Sequence, residues 1–278
     1  MKSFQLFPKQ NRPRIKYILT DIDDTLTWRG RLPARAFSAM EALERSGRQV
    51  IPITGRPAGW CDHIARMWPV AGVVGENGAF AFAYDRQRHT MQRWYWKSEK
   101  ERQQDRLKLE HLKTEILEKV PGCRVSVDQP YREADLAIDF CEDVSPLSAI
   151  ETERIVHIFE QGGARAKISS IHVNGWFGEY DKLSMTRLFF HHVFQADLEA
   201  LRSDILYIGD SPNDSPMFAF FPQSVGVANI VDFRDSLPAE PAWITAAPGG
   251  YGFAEMAEIL LNTRLSAEEE AETGNRVS

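Results

Sequence analysis

The sequence predicts an α/β fold in which a parallel-sheet core carries an inserted α+β domain. Two observations predict it. Near both ends of the chain, short apolar segments alternate with segments of helical periodicity, a pattern typical of βαβ units and a parallel sheet. In the middle, the predicted order becomes helix, strand, strand, helix, strand, strand, which indicates a separate antiparallel sheet. The chain of 278 residues is long enough for one large domain or two ordinary ones.

The first half of the core is predicted over residues 14–84. Helices are predicted between Pro33 and Gly47, and again around Ile64 and Trp68, because apolar side chains recur there at helical spacing. Apolar runs predict strands at 16–19, 50–53, 70–74 and 79–84. The alternation at this spacing indicates that these strands belong to one parallel sheet.

The inserted domain is predicted over residues 85–178. It begins with a polar and aromatic segment, followed by a long charged helix with Leu107, Leu112 and Ile116 on one side. Its predicted helices are 97–119 and 146–161, and its predicted strands are 124–127, 136–140, 166–169 and 171–174. We expect this domain to cover the core as a cap.

The core is predicted to resume over residues 179–265. Its predicted elements are a helix at 182–193, strands at 205–208, 225–227 and 242–244, and a closing helix at 253–261. The polar segments 1–13 and 266–278 are predicted to lie outside the fold as tails. The first tail has no apolar stretch of the kind that a signal peptide needs.

Three carboxylates lie within four residues at the end of the first predicted strand, in the sequence Asp21-Ile22-Asp23-Asp24-Thr25. Carboxylates this close repel one another, so a cation is needed to stabilise them. Mg²⁺ is the natural partner of clustered carboxylate oxygens. A carboxylate beside such an ion can also act as a nucleophile.

Three further features follow predicted strands or begin a helix at the same edge of the sheet. Thr54 ends the second strand, Lys182 begins the helix after the insert, and Gly209-Asp210-Ser211-Pro212-Asn213-Asp214 follows a later strand. The carboxyl edge of a parallel sheet is where such folds place their sites. Together the four features supply a nucleophile, a proton donor, a phosphate-binding hydroxyl, a cation and further metal-binding carboxylates. That set fits phosphoryl transfer.

With these motifs in this order, the chain resembles the haloacid dehalogenase-like superfamily of phosphohydrolases over about residues 16–261. It is most similar to the subclass whose α/β cap lies between the second and third motifs, which includes Cof-type, sucrose-phosphate and trehalose-phosphate phosphatases and phosphomannomutase. The resemblance implies a Rossmann-like parallel-sheet core with this cap. It also implies a Mg²⁺-dependent phosphatase that acts on a small phosphate ester through an aspartyl-phosphate.

The resemblance also implies a role for each motif residue. Asp21 matches the nucleophile, and Asp23 matches the general acid-base, whose main-chain carbonyl is also a metal ligand. Thr54 matches the hydroxyl that binds the phosphoryl group, with Gly55 and Arg56 beside it, and Lys182 matches the cation that neutralises nucleophile and phosphate. The remaining matches lie in the last motif: Asp210 as a direct Mg²⁺ ligand, Asp214 as a support of the metal, and Asn213 near the phosphate.

Ordinary structural roles compete with these assignments. Asp21 and Asp23 could cap the following turn, Thr54 could be only a turn residue, and Asp214 could cap a helix as well as support a metal. Asp24 is expected to be solvated or capping. Arg56 and the Glu76-Asn77-Gly78-Ala79 string could contact substrate or only shape turns at the core–cap junction.

Aromatic segments of the insert leave another choice open. The two segments are Trp94-Tyr95-Trp96 and 172–180, the second of which lies just before Lys182. Their rings could contact a sugar substrate or only pack at the hinge between domains. The favoured substrate, a sugar phosphate, therefore rests on the resemblance and on no particular residue.

Two other functions remain compatible with the sequence. A phosphosugar mutase of the phosphomannomutase type would use the same nucleophile and Mg²⁺ but return the phosphoryl group to the sugar. A catalytically silent metabolite-binding protein on the same scaffold is expected to show a broken motif, whereas all four motifs are intact here.

The composition limits which binding partners and which cellular compartment are expected for this protein. Apolar residues make up 43% and charged residues 26% of the chain, and the formal net charge of −6 gives nucleic-acid binding no electrostatic support. No run of about 18 apolar residues indicates a membrane span. The three cysteines are sparse and odd in number, which favours reduced thiols in the cytoplasm. We expect a small-molecule enzyme that is a monomer or homodimer.

Overall fold

The structure is a computed structural model of the chain and describes residues 1–169 and 171–262. The first part of the chain contains β1 (Lys2–Ser3), β2 (Tyr17–Thr20), α1 (Ala34–Arg45), β3 (Gln49–Pro52), α2 (Ala58–Met67), β4 (Val73–Gly75), β5 (Phe80–Asp85) and β6 (Thr90–Tyr95). The middle part contains α3 (Glu99–Lys119), β7 (Arg124–Val125), β8 (Leu136–Asp139), α4 (Ala149–Gln161), β9 (Arg165–Ile168) and β10 (His172–Trp176). The last part contains α5 (Lys182–Phe194), α6 (Leu198–Leu201), β11 (Ile205–Gly209), α7 (Ser215–Phe220), β12 (Gln223–Gly226), β13 (Trp243–Ile244) and α8 (Gly249–Leu261).

A six-stranded sheet in the order β1-β13-β12-β11-β2-β3 forms the core. Every neighbouring pair in it is parallel. The central strand β2 is fully buried at Ile18 and Leu19, because helices cover both faces of a parallel sheet of this kind. The predicted fold class, a Rossmann-like parallel-sheet core with an inserted α+β cap, is confirmed.

The strand at 79–84 does not join the parallel sheet as predicted. It forms the antiparallel sheet β4-β5-β6, and β6 lies in the polar and aromatic segment for which no strand was predicted. Phe80 and Phe82 of β5 are buried in the core, so the hairpin packs with the core, and the predicted boundary at residue 85 lies inside it. An apolar run predicts a strand but does not reveal the direction of its neighbour.

The N-terminal segment belongs to the core and is not the tail that was predicted for residues 1–13. β1 runs parallel to β13 at the edge of the sheet. Phe4 and Phe7 are buried, with their rings stacked 4.8 Å apart and Trp243 edge-on to both. Isolated aromatic residues in a polar segment carry no periodic pattern, which is why the sequence did not predict this packing. The tail predicted at 266–278 lies outside the described residues.

The inserted segment forms a second sheet, β7-β8-β10-β9, in which all pairs are antiparallel. α3 and α4 pack on it around a hydrophobic cluster of its own, which includes Ile116, Ile138 and Phe159. On α3 the buried apolar side is formed by Leu109, Leu112 and Ile116, whereas Leu107 is 69% exposed. The prediction placed Leu107 on that side, but only the spacing of 109, 112 and 116 follows the helical period.

Local capping sets where the helices of the insert begin. Ser98 and Glu101 form a capping box at the start of α3, and Ser148 and Glu151 form another at the start of α4. Asp181 caps α5 through the Ser184 N–H and hydroxyl, which fixes the first residue of that helix as Lys182.

Among the described residues, no helix combines the length and apolar character needed to cross a membrane.

Candidate active site

The predicted motif segments meet at the carboxyl edge of the parallel sheet. β2 lies between β11 and β3, so the chain leaving β2 at Asp21 is flanked by the segments that follow the other two strands. The Asp21 N–H donates to the Ile208 carbonyl of β11 at 3.0 Å, and the Ile53 N–H donates to the Thr20 carbonyl of β2 at 2.8 Å. These bonds align the ends of the three strands.

A buried group of three carboxylates and one ammonium occupies this edge; we call Asp21, Lys182, Asp210 and Asp214 the carboxylate–lysine cluster. Lys182 Nζ donates to Asp21 Oδ1 at 2.8 Å and to Asp214 Oδ1 at 2.7 Å. All four side chains are buried. Lys182 Nζ also donates to Asn213 Oδ1 at 3.3 Å, so the structure brings this predicted residue to the cluster as well.

Burial dominates the electrostatics of the cluster. It raises the pKa of Asp21 to about 8, with Lys182 opposing the shift and the neighbouring carboxylates of Asp214 and Asp23 adding to it. The pKa of Asp210 is raised well above its usual value by burial and by Asp21 and Asp214. The pKa of Lys182 is raised because its two carboxylate partners outweigh burial, so the ammonium stays charged. One cation therefore faces three carboxylates.

The donor set fits a hard divalent cation. One carboxylate oxygen from each of Asp21, Asp210 and Asp214 lies within 4.8 Å of the others. These ligand atoms are all oxygens, the type that Mg²⁺ prefers, and such an ion would favour the ionised form of each carboxyl group against the effect of burial. Asp23 was also predicted as a metal ligand, through its main-chain carbonyl, and its carboxylate is directed elsewhere.

The Asp23 carboxylate is held by Arg56. Arg56 Nε lies 3.0 Å from both carboxylate oxygens and Nη2 donates to Oδ1 at 2.8 Å. The same Nη2 donates to Glu142 Oε1 of the insert at 3.1 Å. Arg56 thus links the predicted acid-base of the core to the cap, and we call the set Asp23, Arg56 and Glu142 the arginine bridge.

Glu142 is paired on its other side as well. His172 Nε2 lies 2.9 Å from Glu142 Oε2. The close approach of the His172 ring and the charge of Arg56 lower the pKa of Glu142 to about 2, against the effect of burial. Glu142 therefore remains a carboxylate at neutral pH and keeps the bridge intact.

Thr54 and Gly55 lie where the chain leaves β3. The Thr54 hydroxyl accepts the Arg56 N–H at 3.0 Å and, as an acceptor, retains its own proton for a further partner. Gly55 lies so close to Asn77 that a Cβ would come within 3.2 Å of the Asn77 amide nitrogen. The absence of a side chain at Gly55 therefore keeps the loop against the Asn77 turn and open toward the cluster.

A cleft between core and insert borders part of the site and has about 370 Å³ of empty space, some of which is open to solvent. From the core it is lined by Asp21, Asp23, Gly55, Arg56, Asp210, Ser211 and Asn213. From the insert it is lined by Arg132, Ser169, Ile171, His172 and Asn174. Of the predicted phosphate-binding residues, Gly55, Arg56 and Asn213 line this cavity, whereas Thr54 and Lys182 do not.

Sequence reasoning missed the polar residues of the insert that complete this cavity. Arg132 is buried between Asp128 and Asp135, with nitrogen–oxygen distances of 2.8 to 3.1 Å, and its Nη1 donates to the Gly55 carbonyl at 2.9 Å. Asn174 Nδ2 donates to Asp135 Oδ2 at 2.8 Å. The charges at 128, 132 and 135 have near-helical spacing, but this signal does not reveal which loop of the core they face.

The aromatic segments were open to two roles, contact with a sugar substrate or packing at the hinge, and the described rings show the packing role. Trp176 and Tyr180 are buried and stack with ring centroids 5.7 Å apart, and Trp94 stacks on His192 of α5 at 5.3 Å. These rings pack the junction. In the segment 172–180, the residues that line the cavity are His172 and Asn174.

No family model matches the chain. No curated protein matches it either. Solved structures do. A Thermoplasma acidophilum protein is 18% identical over 88% of this chain and 98% of its own, with a TM-score of 0.67. A HAD/Cof-like hydrolase from Plasmodium vivax is 16% identical over 92% and 100%, with a TM-score of 0.64. The sucrose-phosphatase of Synechocystis sp. PCC6803, solved with sucrose and phosphate, is 12% identical over 88% and 97%, with a TM-score of 0.60.

These likenesses extend over nearly the whole of each solved chain, and they include the inserted sheet as well as the core. At identities of 12 to 18%, these similarities establish the fold and nothing finer. The resemblance inferred from the motifs is thereby confirmed at this level. The chain has the fold of the haloacid dehalogenase-like hydrolases whose cap is an inserted α/β unit.

Proposed function

We propose that this protein is a Mg²⁺-dependent phosphatase that hydrolyses a small phosphorylated metabolite, with a sugar phosphate favoured, through an aspartyl-phosphate intermediate. The observation that carries the proposal is the carboxylate–lysine cluster. A buried carboxylate hydrogen-bonded to a buried ammonium, beside two further carboxylates, provides a nucleophile at a sheet edge where substrates bind.

In the first step an Asp21 carboxylate oxygen attacks phosphorus, and the bond from phosphorus to the alcohol oxygen breaks. Asp23 donates a proton to that oxygen, so the alcohol leaves neutral. In the second step Asp23, now a carboxylate, takes a proton from water, whose oxygen attacks the aspartyl-phosphate and releases phosphate and free Asp21. Arg56 pairs with the Asp23 carboxylate, so this contact must open for Asp23 to donate its proton to the leaving oxygen in the first step.

Lys182 neutralises the charge that accumulates on Asp21 and the phosphoryl oxygens. Thr54, Gly55, Arg56 and Asn213 are the proposed phosphate-binding group. Asp21, Asp210, Asp214 and the Asp23 carbonyl would hold Mg²⁺, which when bound would reduce repulsion between the nucleophile and the phosphate. Asp214 supports the arrangement further by pairing with Lys182.

We also propose the domain division and the cellular setting. Among the described residues, the core is taken as 1–96 and 179–262 and the cap as the segment between them, which shifts the cap boundary past the β5–β6 hairpin. The cap would contribute to specificity, because it supplies the polar side chains at 132, 169, 172 and 174. The sparse and odd number of cysteines supports a cytoplasmic location. The proposed assembly is a monomer or homodimer. The negative charge argues against nucleic-acid partners.

The first test is a panel of phosphorylated sugars and sugar acids, assayed with Mg²⁺ and with a chelator. Wild-type protein is expected to release inorganic phosphate only with Mg²⁺. Asp21→Asn is expected to lower the rate by about a thousandfold or more, because the amide cannot act as the nucleophile. Asp204→Asn is the control, since Asp204 lies at the opposite end of β11 and pairs with Arg14 and Lys16.

An unchanged rate in Asp21→Asn would exclude the proposed nucleophile. Product analysis separates hydrolysis from the mutase alternative, because a mutase would return isomerised sugar phosphate and release no phosphate. If neither product forms with any substrate of the panel, the silent binding protein becomes the better reading.

A further inference from the structure

A second, larger cavity meets the candidate active site at the arginine bridge. It encloses about 980 Å³ and opens between α2 and the chain that follows Asp23. Its apolar side chains, which define what we call the tryptophan groove, are Ile22, Leu32, Trp60, Ile64 and Trp68. Its polar end is formed by Asp23, Arg56 and Glu142, and the first two of these also line the smaller cavity.

Trp60 is the largest exposed apolar surface in this groove. It lies in the first turn of α2, where its main-chain N–H donates to the Pro57 carbonyl at 3.1 Å. The residue is 43% exposed. The Arg56 guanidinium carbon lies 4.5 Å from the centre of its ring. One part of the indole is thus fixed by the arginine bridge, while the remainder faces open space. An indole held in place and left exposed beside a reactive carboxylate is well suited to contact a ligand ring.

We propose that the tryptophan groove binds the alcohol part of the phosphate ester and selects alcohols that carry a ring with an apolar face. This inference rests on the proposed function. A general acid must lie within hydrogen-bond reach of the oxygen it protonates, so the alcohol begins at Asp23. The smaller cavity is polar and is lined by Asp21, the proposed nucleophile, and by Asp210, so it takes the phosphoryl group. The rest of the alcohol extends into the groove that shares Asp23.

A third cavity provides the competing path. It encloses about 940 Å³ and is lined by Lys182, Asn213 and residues of the insert such as Lys167 and Trp176. Asp23 does not line it. An alcohol placed there would begin on the Lys182 side of the phosphoryl group and away from the acid, so the tryptophan groove is favoured.

The shared chemistry of the ligand is an apolar ring face, which an aromatic ring and a sugar ring both offer. Three esters distinguish the sources: ethyl phosphate has no ring, 2-phenylethyl phosphate has an aromatic ring, and glucose 6-phosphate has a sugar ring. Ethyl phosphate and 2-phenylethyl phosphate release alcohols of similar acidity, so a difference between their kcat/KM values measures the effect of the ring. Wild-type kcat/KM is expected to be about tenfold higher for at least one ring-bearing ester than for ethyl phosphate.

Trp60→Ala is expected to lower kcat/KM about tenfold for the ring-bearing ester and less than about twofold for ethyl phosphate. Trp60→Phe keeps a ring face and should restore most of the loss. The matched control is Trp96→Ala. Trp96 is 41% exposed and lines a different cavity, beside α5. An equal loss for all three esters in Trp60→Ala, or an equal loss in Trp96→Ala, would overturn the proposal.

Binding of unreactive phosphonates separates the groove from the chemistry. Calorimetric titration of 3-phenylpropylphosphonate and propylphosphonate should show tighter binding of the ring-bearing analogue to wild type and no difference in Trp60→Ala. If no ester is hydrolysed but this difference is found, the proposed function fails and the groove stands. If esters are hydrolysed and the analogues bind equally to wild type, the groove fails and the proposed function stands.

Discussion

Asp214 accepts hydrogen bonds at both of its carboxylate oxygens. Tyr207 OH and Lys182 Nζ donate to Oδ1 at 2.5 and 2.7 Å, and the N–H groups of Asp210 and Ser211 approach Oδ2 at 3.1 and 3.4 Å. Tyr207 is fully buried on β11, and its pKa is raised well above the usual value by burial and by Asp214. It therefore stays a proton donor and fixes the carboxylate. No motif in the sequence indicated this residue.

Tyr207→Phe is expected to weaken Mg²⁺ binding about tenfold, because partners that orient a ligand carboxylate typically contribute that much to metal affinity. Calorimetric titration of the protein with Mg²⁺ measures this without turnover. Tyr17→Phe is the control, since Tyr17 lies on the adjacent strand and packs against Phe190 and Phe194. Equal Mg²⁺ affinity in wild type and Tyr207→Phe would show that Asp214 does not need this donor.

At the scale of elements, the turn after β4 joins the core to the insert. The buried Glu76 carboxylate accepts the N–H groups of Ala58 in α2 and of Glu133, Ala134 and Asp135 in the insert, at 2.6 to 3.3 Å. Glu76 has a positive φ of 42°, a conformation held by these contacts. The Glu-Asn-Gly-Ala string is expected to shape this junction, and the hydrogen bonds accepted by Glu76 show how it does so.

Glu76→Gln is expected to lower the free energy of unfolding by about 3 kcal/mol, because an amide nitrogen would face buried N–H donors and leave them unpaired. Urea unfolding at neutral pH measures the change. Glu41→Gln, which alters only an exposed pair on α1, should change stability by less than about 0.5 kcal/mol. A similar small effect at both positions would mean that the junction is held by other contacts.

For the whole molecule, the arginine bridge couples the cap to the core in a pH-dependent way. The folded-state pKa of Glu142 is about 2, below its usual value of 4.5, so the unfolded chain binds more protons between these values. The stabilisation from Glu142 is therefore complete above about pH 4.5 and is lost as the pH falls toward 2.

Glu142→Gln is expected to be less stable than wild type at pH 6, with the difference shrinking steadily between pH 5 and pH 3. Urea unfolding at several pH values measures both curves. Glu153→Gln, at an exposed position of α4, is the control and should follow wild type. A difference that stays constant across this pH range would exclude Glu142 as the titrating group of the bridge.

Connectivity alone predicts the central strands of the parallel core and the carboxylate–lysine cluster. Asp21, Asp210 and Asp214 each follow a buried strand, and the carboxyl ends of parallel strands must lie at one edge, so their convergence follows from connectivity alone. Lys182 joins them because it begins the first helix after the insert.

Only the tertiary structure decided which residues of the cap face this edge. Arg56 and Glu142 are 86 positions apart, and their contact depends on how two separately folded sheets pack. The same holds for Tyr207 beneath Asp214 and for the aromatic rings of the first ten residues. Periodicity reports which face of an element is buried, but it carries no information on which distant side chain that face will meet.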